Sequence, residues 1–209
     1  RLYGYHNLIS TLPKLDIKEG GYEPSVKFRK DISKRLRSLG LNEVKTYTLT
    51  SIEMADSFKY KDVKNIYLPN PMSMDKSVIR TSLIPSLLNI YEYNKARKQE
   101  NVCIYEISKV YDINYNEDIL LSILMKGNLV TSTWNNNNLK VDFYLIKGII
   151  ENILDYVGLK NRYSMISDDI TDIHPKIGAR ILVDKKDVGI IGKIHPSINK
   201  DDIYVCEIS

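Results

Sequence analysis

An α+β domain, built as an antiparallel sheet flanked by helices, is the fold class this sequence predicts. Three observations lead to it. Strand-patterned stretches outnumber helical ones. After residue 100 those strands follow one another as sequence neighbours, which favours antiparallel pairing over crossover connections. Residues 24–39, 83–98 and 143–157 carry apolar side chains at helical spacing. A chain of 209 residues with 43% hydrophobic and 27% charged content suits one packed domain with a short appendage. No apolar run approaches the roughly 18 residues of a membrane-spanning helix. The net charge of +4 permits a nucleic-acid partner without arguing for one.

In chain order, residues 1–12 are short, aromatic and interrupted by Gly4, and residues 13–23 read as a linker loosest at Gly20-Gly21. Pro24 suits the first turn of the helix over 24–39, and Gly40 suits the left-handed position after it. Phe28, Ile32, Leu36 and Leu39 form one apolar stripe. Lys27, Arg29, Lys30, Lys34, Arg35 and Arg37 crowd the other side, relieved by Asp31. Residues 43–50 alternate as a strand, Ser51 caps a short helix, and 65–68 form another short strand. Asn70-Pro71 marks a turn. Ser82 is placed to cap the next helix, with Pro85 in its first turn. Leu83, Leu87, Tyr91 and Asn94 follow at helical spacing, and Lys95, Arg97 and Lys98 suit the negative end of the helix dipole.

Residues 102–111 alternate as a strand, 114–118 form a polar turn, and 119–126 are apolar enough for a strand buried on both faces. Residues 127–139, with the run Asn135 to Asn138, read as an exposed loop in which Trp134 is a packing anchor. Asp142 caps a deeply packed helix over 143–157, which Gly158 ends. A strand over 162–166 and an acidic loop over 167–173 lead to a hairpin, strands 179–183 and 188–194 joined through 184–187. A final strand spans 203–208. His174-Pro175 and His195-Pro196 read as structural turns, since no third metal ligand stands near them. Cys103 and Cys206 sit in apolar strand patterns and read as buried free thiols of a reducing cytoplasm.

The central string NP-x-S-x-D-x-SV-x-RTSL-x-P-x-LL, then YN-x-ARK and the YEISKVY strand, matches a known pattern at about a dozen ordered positions between Asn70 and Tyr111. RLYGY at the start, DFYLIKG at the last helix, and HP…GARILV…VGIIGKIHP extend the match over nearly the whole chain. The sequence resembles the beta subunits of bacterial phenylalanyl-tRNA synthetases, in their class II synthetase-like core. Leu145 departs from the pattern, where an acidic residue is usual.

The resemblance implies several things. Residues 1–12 would be the tail of a winged-helix-like domain, 13–23 a linker, and 24–209 the core, with Arg1 a boundary inside a longer protein. The acidic residues that bind magnesium upstream of the tail are absent, so no metal site is expected. Active class II enzymes carry an arginine on the second-motif strand, followed by Arg-x-Glu, and a glycine-rich third motif ending in Glu-Arg. The matching strand here has Lys109, and Arg80, Arg97, Arg162 and Arg180 lie in no phosphate-binding context.

The core is therefore expected to be catalytically silent, with no catalytic, cofactor-binding or metal residues of its own. ATP and magnesium belong to the whole enzyme, an alpha2beta2 heterotetramer in the cytoplasm that charges tRNA(Phe). The expected partner is the alpha subunit, met through Phe28, Ile32, Leu36 and Leu39 on the first-motif helix and through Met72, Met74, Arg80 and Thr81. Two alternatives stand beside this reading. One is a direct tRNA contact through Lys27, Arg29, Lys30, Lys34 and Arg37. The other is a residual amino-acid- or ATP-binding ligase domain.

Overall fold

The computed structural model describes residues 2–16, 19–58, 64–131 and 138–209. Trp134 and most of the asparagine run lie outside the described residues.

Residues 2–16 and 19–23 are irregular apart from one short turn at Tyr5–Asn7, and all but the half-buried Gly4 are exposed. Helix α1, Pro24–Ser38, begins on Pro24 and stops at Gly40, whose φ of 94° is the left-handed value a C′ residue needs. Strand β1 is only Asn42–Glu43 and β2 only Leu49–Thr50. The expected continuous strand over 43–50 is broken for a physical reason. The Thr46 N–H donates to the Glu106 carboxylate (3.2 Å), and the Thr48 carbonyl accepts from the Arg80 N–H (3.0 Å). The first bond takes Thr46 out of the ladder that β1 makes, and the second belongs to the backbone pairing of β2 with residues 78–80, so the segment leaves one sheet and joins another.

Helix α2, Ile52–Asp56, is capped by Ser51, whose hydroxyl accepts from Met54 N–H, as the sequence predicts. Strands β3 (Ile66–Tyr67) and β4 (Val78–Ile79) complete a small three-stranded sheet ordered β2-β4-β3. Helix α3 runs Ile84–Lys95. Then come β5 (Val102–Tyr111), β6 (Glu117–Lys126), the short pair β7 (Asn128–Val130) and β8 (Leu139–Lys140), and helix α4 (Phe143–Tyr156). The β7–β8 pair corrects the reading of 127–139 as loop throughout. Asp142 caps α4 through Leu145 N–H, and Gly158 ends it at φ 87°.

The chain closes with β9 (Tyr163–Ser167), β10 (Ile173–Val183), β11 (Lys186–Ile194) and β12 (Tyr204–Ile208). The β10–β11 hairpin turns on two residues, Asp184 and Lys185, both at positive φ (48° and 66°). That is the primed turn whose twist matches paired strands.

The main sheet has seven strands in the order β1-β5-β6-β12-β11-β10-β9, antiparallel except for the β1–β5 edge pair. Helices α1 and α4 pack on one face with Leu36, Tyr105, Ile123, Ile146, Ile150 and Cys206. Helix α3 packs on the other through Ile84, Leu87 and Tyr91, against Val102, Ile104, Leu124 and Val205. Both cysteines are free and buried, and burial pushes the Cys103 thiol up to about 11.

The sheet centre is too tight for added side chains. A methyl group on Gly189 would lie 2.2 Å from the Glu207 carbonyl oxygen on the adjacent strand. Gly189→Ala is expected to destabilise the domain by about 1–3 kcal/mol, as overpacked core sites do. The check is a lower urea midpoint at unchanged slope, with Gly20→Ala, whose methyl group would meet nothing within 4 Å, as a neutral control.

Candidate subunit interface and the buried polar row

Two kinds of site emerge: exposed surfaces fit for a partner, and a sealed polar row inside the sheet. On α1, Phe28 is 52% exposed, Ile32 and Leu39 are half-buried against the core, and Leu36 is fully buried. The expected contact stripe is thus mostly the inner seam of the helix, and Leu36 holds α1 to its own sheet. Met72 and Met74 are exposed. Thr81 is half-buried and its hydroxyl points at the Ala55 carbonyl (3.5 Å). Arg80 is 2% exposed, which corrects its assignment to a contact surface.

The basic side of α1 keeps Lys27, Lys30, Lys34 and Arg37 in solvent, with Arg29 half-buried. Lys30 rests 3.7 Å from the centre of the Tyr22 ring. A cleft of about 560 Å³ runs beside them, where Arg29, Lys30, Lys34, Arg37 and Lys45 outnumber Asp31 and Glu43. Arg35 instead turns to α4, donating to Asn152 (2.8 Å).

The polar row crosses the sheet on its α3 face. Glu106 on β5 pairs in register with Ser122 on β6, and Ser122 with Glu207 on β12; all three are buried. Arg80 approaches Glu106 at 3.3 Å. Its other guanidinium contacts are the Thr46 hydroxyl (2.5 Å), the Ser108 hydroxyl (2.6 Å) and the carbonyls of Lys109 (3.2 Å) and Tyr47 (3.4 Å). A guanidinium has five N–H groups in a rigid fork, and here all three nitrogens are engaged inside the chain.

Glu207 closes the start of α3. Its carboxylate accepts from Leu83 N–H (2.7 Å) and from the Ser82 hydroxyl (3.2 Å). Ser82 in turn accepts from Ile84 N–H (3.2 Å). The N-cap is thus Leu83 and not the expected Ser82, which stands one residue earlier and helps close the helix start together with a carboxylate from a strand more than a hundred residues away. Burial pushes the Glu207 carboxyl up to about 7, against the opposing pull of those donors and of Arg80. Both carboxylates stand on the core-facing side of apolar strands, and that misplaced charge was the signal in the sequence.

Arg97, Arg162 and Arg180, the other arginines outside a phosphate-binding context, are engaged locally. Arg97 donates to the Tyr93 carbonyl, Arg162 pairs with Asp184, and Arg180 pairs with Asp168 and Asp187. His174 and His195 each use Nδ1 to accept from the backbone two residues on; His195 closes the turn after β11, whereas His174 lies inside β10, where the register shifts between Ile173 and Gly178, which corrects its reading as a turn. Among the described residues no three His, Cys, Asp or Glu side chains come together as a metal ion requires.

A family model described as the phenylalanyl tRNA synthetase beta chain CLM domain matches residues 8–209. The chain belongs to the phenylalanyl-tRNA synthetase beta-chain family. Phenylalanine–tRNA ligase beta subunits of Geobacillus kaustophilus and Bacillus subtilis are 36% and 33% identical to this beta-chain domain over its full length. The domain spans about a quarter of them, 27% of each. Its fold is similar to that of a pyrrolysyl tRNA synthetase from Desulfitobacterium hafniense, with TM-score 0.66 at 12% identity over 88% of this chain and 66% of that one. The resemblance carried by the string from Asn70 to Tyr111 is thereby established at family level. Among the described residues no helix of the beta-chain domain is long and apolar enough to cross a membrane.

Proposed function

We propose that this domain is a class II synthetase-like core without chemistry of its own, a scaffold that assembles with a catalytic alpha subunit. In the whole alpha2beta2 enzyme it would help join phenylalanine to tRNA(Phe) at the expense of ATP and magnesium bound elsewhere. Residues 24–209 are the core in this reading, and residues 1–12 close a preceding winged-helix-like domain. One observation carries it. The arginine of the family string, Arg80, has all its nitrogens committed inside the chain, while Phe28, Met72 and Met74 are exposed to solvent. Aromatic and methionine side chains of that kind are enriched where proteins meet.

The test is gel filtration with light scattering of the full beta chain mixed with its alpha subunit. Phe28→Glu is expected to weaken the complex tenfold or more. Because Phe28 is half in solvent, the variant's own stability is expected to stay within about 0.5 kcal/mol of the parent's. An unweakened complex would remove α1 from the interface.

A further inference from the structure

We infer that the cleft between the small sheet and α3 is a docking site for an unpaired nucleotide of single-stranded RNA. The cleft holds about 420 Å³, within the range of small-ligand sites. Its walls come from three places: the segment Lys45–Tyr47 with β2, the turn at Asp75-Lys76, and the outer side of α3 at Ser86, Asn89 and Tyr93.

Two tyrosine rings stand open at its rim, Tyr47 at 74% and Tyr93 at 59% exposure. Each carries a cation on its ring: Lys76 lies 3.9 Å from the centre of Tyr47, and Arg97 lies 3.3 Å from that of Tyr93. Lys45 adds a third positive charge to the lining, and Asp75 is the only carboxylate among the described residues that line it. Aromatic faces with cations beside them are what unpaired bases and their phosphates need: the rings stack bases of any sequence and the cations meet the backbone.

Two polar side chains stand in the cleft wall. Ser86 is 8% exposed and lines the wall. Beside it stands the exposed Asn89, whose NH₂ meets the Met54 sulfur (3.1 Å). A hydroxyl and an amide oxygen facing an apolar-rimmed cleft suit the edge of a base. Duplex RNA does not fit this reading, because its bases are already stacked and paired.

The experiment is fluorescence anisotropy of a labelled single-stranded oligonucleotide with the full beta chain, at low and moderate salt. Binding is expected to fall with salt at a log–log slope near −2, for about three cations on a single strand. Tyr47→Ala with Tyr93→Ala is expected to weaken it about tenfold or more, while Tyr47→Phe with Tyr93→Phe retains it. Both rings are exposed, so the melting temperature of each variant reports that the fold is intact. Equal binding by the double alanine variant would overturn the site. So would loss of binding in Lys27→Ala, Lys30→Ala, Lys34→Ala instead, which would move the contact to α1. Competition by adenosine monophosphate as strong as by a tetranucleotide would make this a mononucleotide pocket and overturn the RNA assignment. The cleft adjoins Met74 of the proposed subunit contact, so the beta chain is assayed without its alpha subunit; failure of the subunit reading shows in complex formation and failure of this one in oligonucleotide binding.

Discussion

Replacing Arg80 with Met is expected to destabilise the domain by about 3–5 kcal/mol, the usual cost of stranding one member of a buried ion pair. Arg80 is 2% exposed and Glu106 fully buried, so water cannot replace the lost guanidinium. The Thr46 N–H and hydroxyl would remain as donors to Glu106, too few for a buried carboxylate. The Ser108 hydroxyl and the Lys109 carbonyl would lose their donor as well. Adding Glu106→Leu to Arg80→Met is expected to restore most of the loss, since an apolar pair needs no desolvation of charge. Urea unfolding of the two variants and the parent measures both effects, and the double variant separates lost attraction from stranded charge. A loss under about 1 kcal/mol for Arg80→Met would mean that the cluster opens to water.

The second large effect is a fall in stability as pH rises from 4.5 to beyond 7. The Glu207 carboxyl titrates at about 7 in the folded chain against an ordinary 4.5, because burial disfavours its charged form. The folded state therefore holds the proton where the unfolded chain has released it. The stabilisation is fully present below 4.5 and is lost as pH climbs through 7. At 1.36 kcal/mol per unit this amounts to about 3 kcal/mol. The charged groups around Glu207 are Arg80, which opposes the rise, and Glu106 two strands away; Cys206 stays a neutral thiol through complete burial.

Other carboxylates act in a different window. Asp168, Asp184 and Asp201 are held below their ordinary range by hydrogen bonds from Arg180, Arg162 and Lys95, and their stabilisation is lost only as pH falls below 4. Glu207→Gln is thus expected to flatten the stability profile between pH 5 and 8. Urea midpoints across that range measure it, and a profile as steep as the parent's would assign the proton to another group.

The local features were legible in the sequence and the long-range ones were not. Strand β5 spans the predicted residues, because its alternation and its flanking polar turns are local signals. Ser51 and Asp142 were readable as caps, since a cap acts on a backbone N–H three residues on. The broken segment between β1 and β2 was not readable. Its backbone bonds to Glu106 and Arg80, and no local pattern announces a partner 32 to 60 residues away. For the same reason Glu207 was invisible as the partner of α3.

At the candidate interface, periodicity found the stripe Phe28–Ile32–Leu36–Leu39 but not how deep each residue sinks; only the packing of α1 on β5 and α4 separates Phe28 from Leu36. Arg80 looked like a surface residue because a charged side chain almost never lies fully buried without a partner, and its partner lay on another strand. The tyrosine cleft had no signature, since its walls are assembled from three separated segments.

The place of β12 in the strand order has a consequence for how the chain is made. It lies between β6 and β11, so residues 204–208 form the seam between the half-sheet β1-β5-β6 and the half-sheet β11-β10-β9. It is also the last of these strands to leave the ribosome. During synthesis each half must wait with one long, unpaired and apolar edge, the hazard that chaperones cover. The nascent chain can shape its helices and the β10–β11 hairpin early. Its sheet closes in one late step, when these few residues slide into the gap.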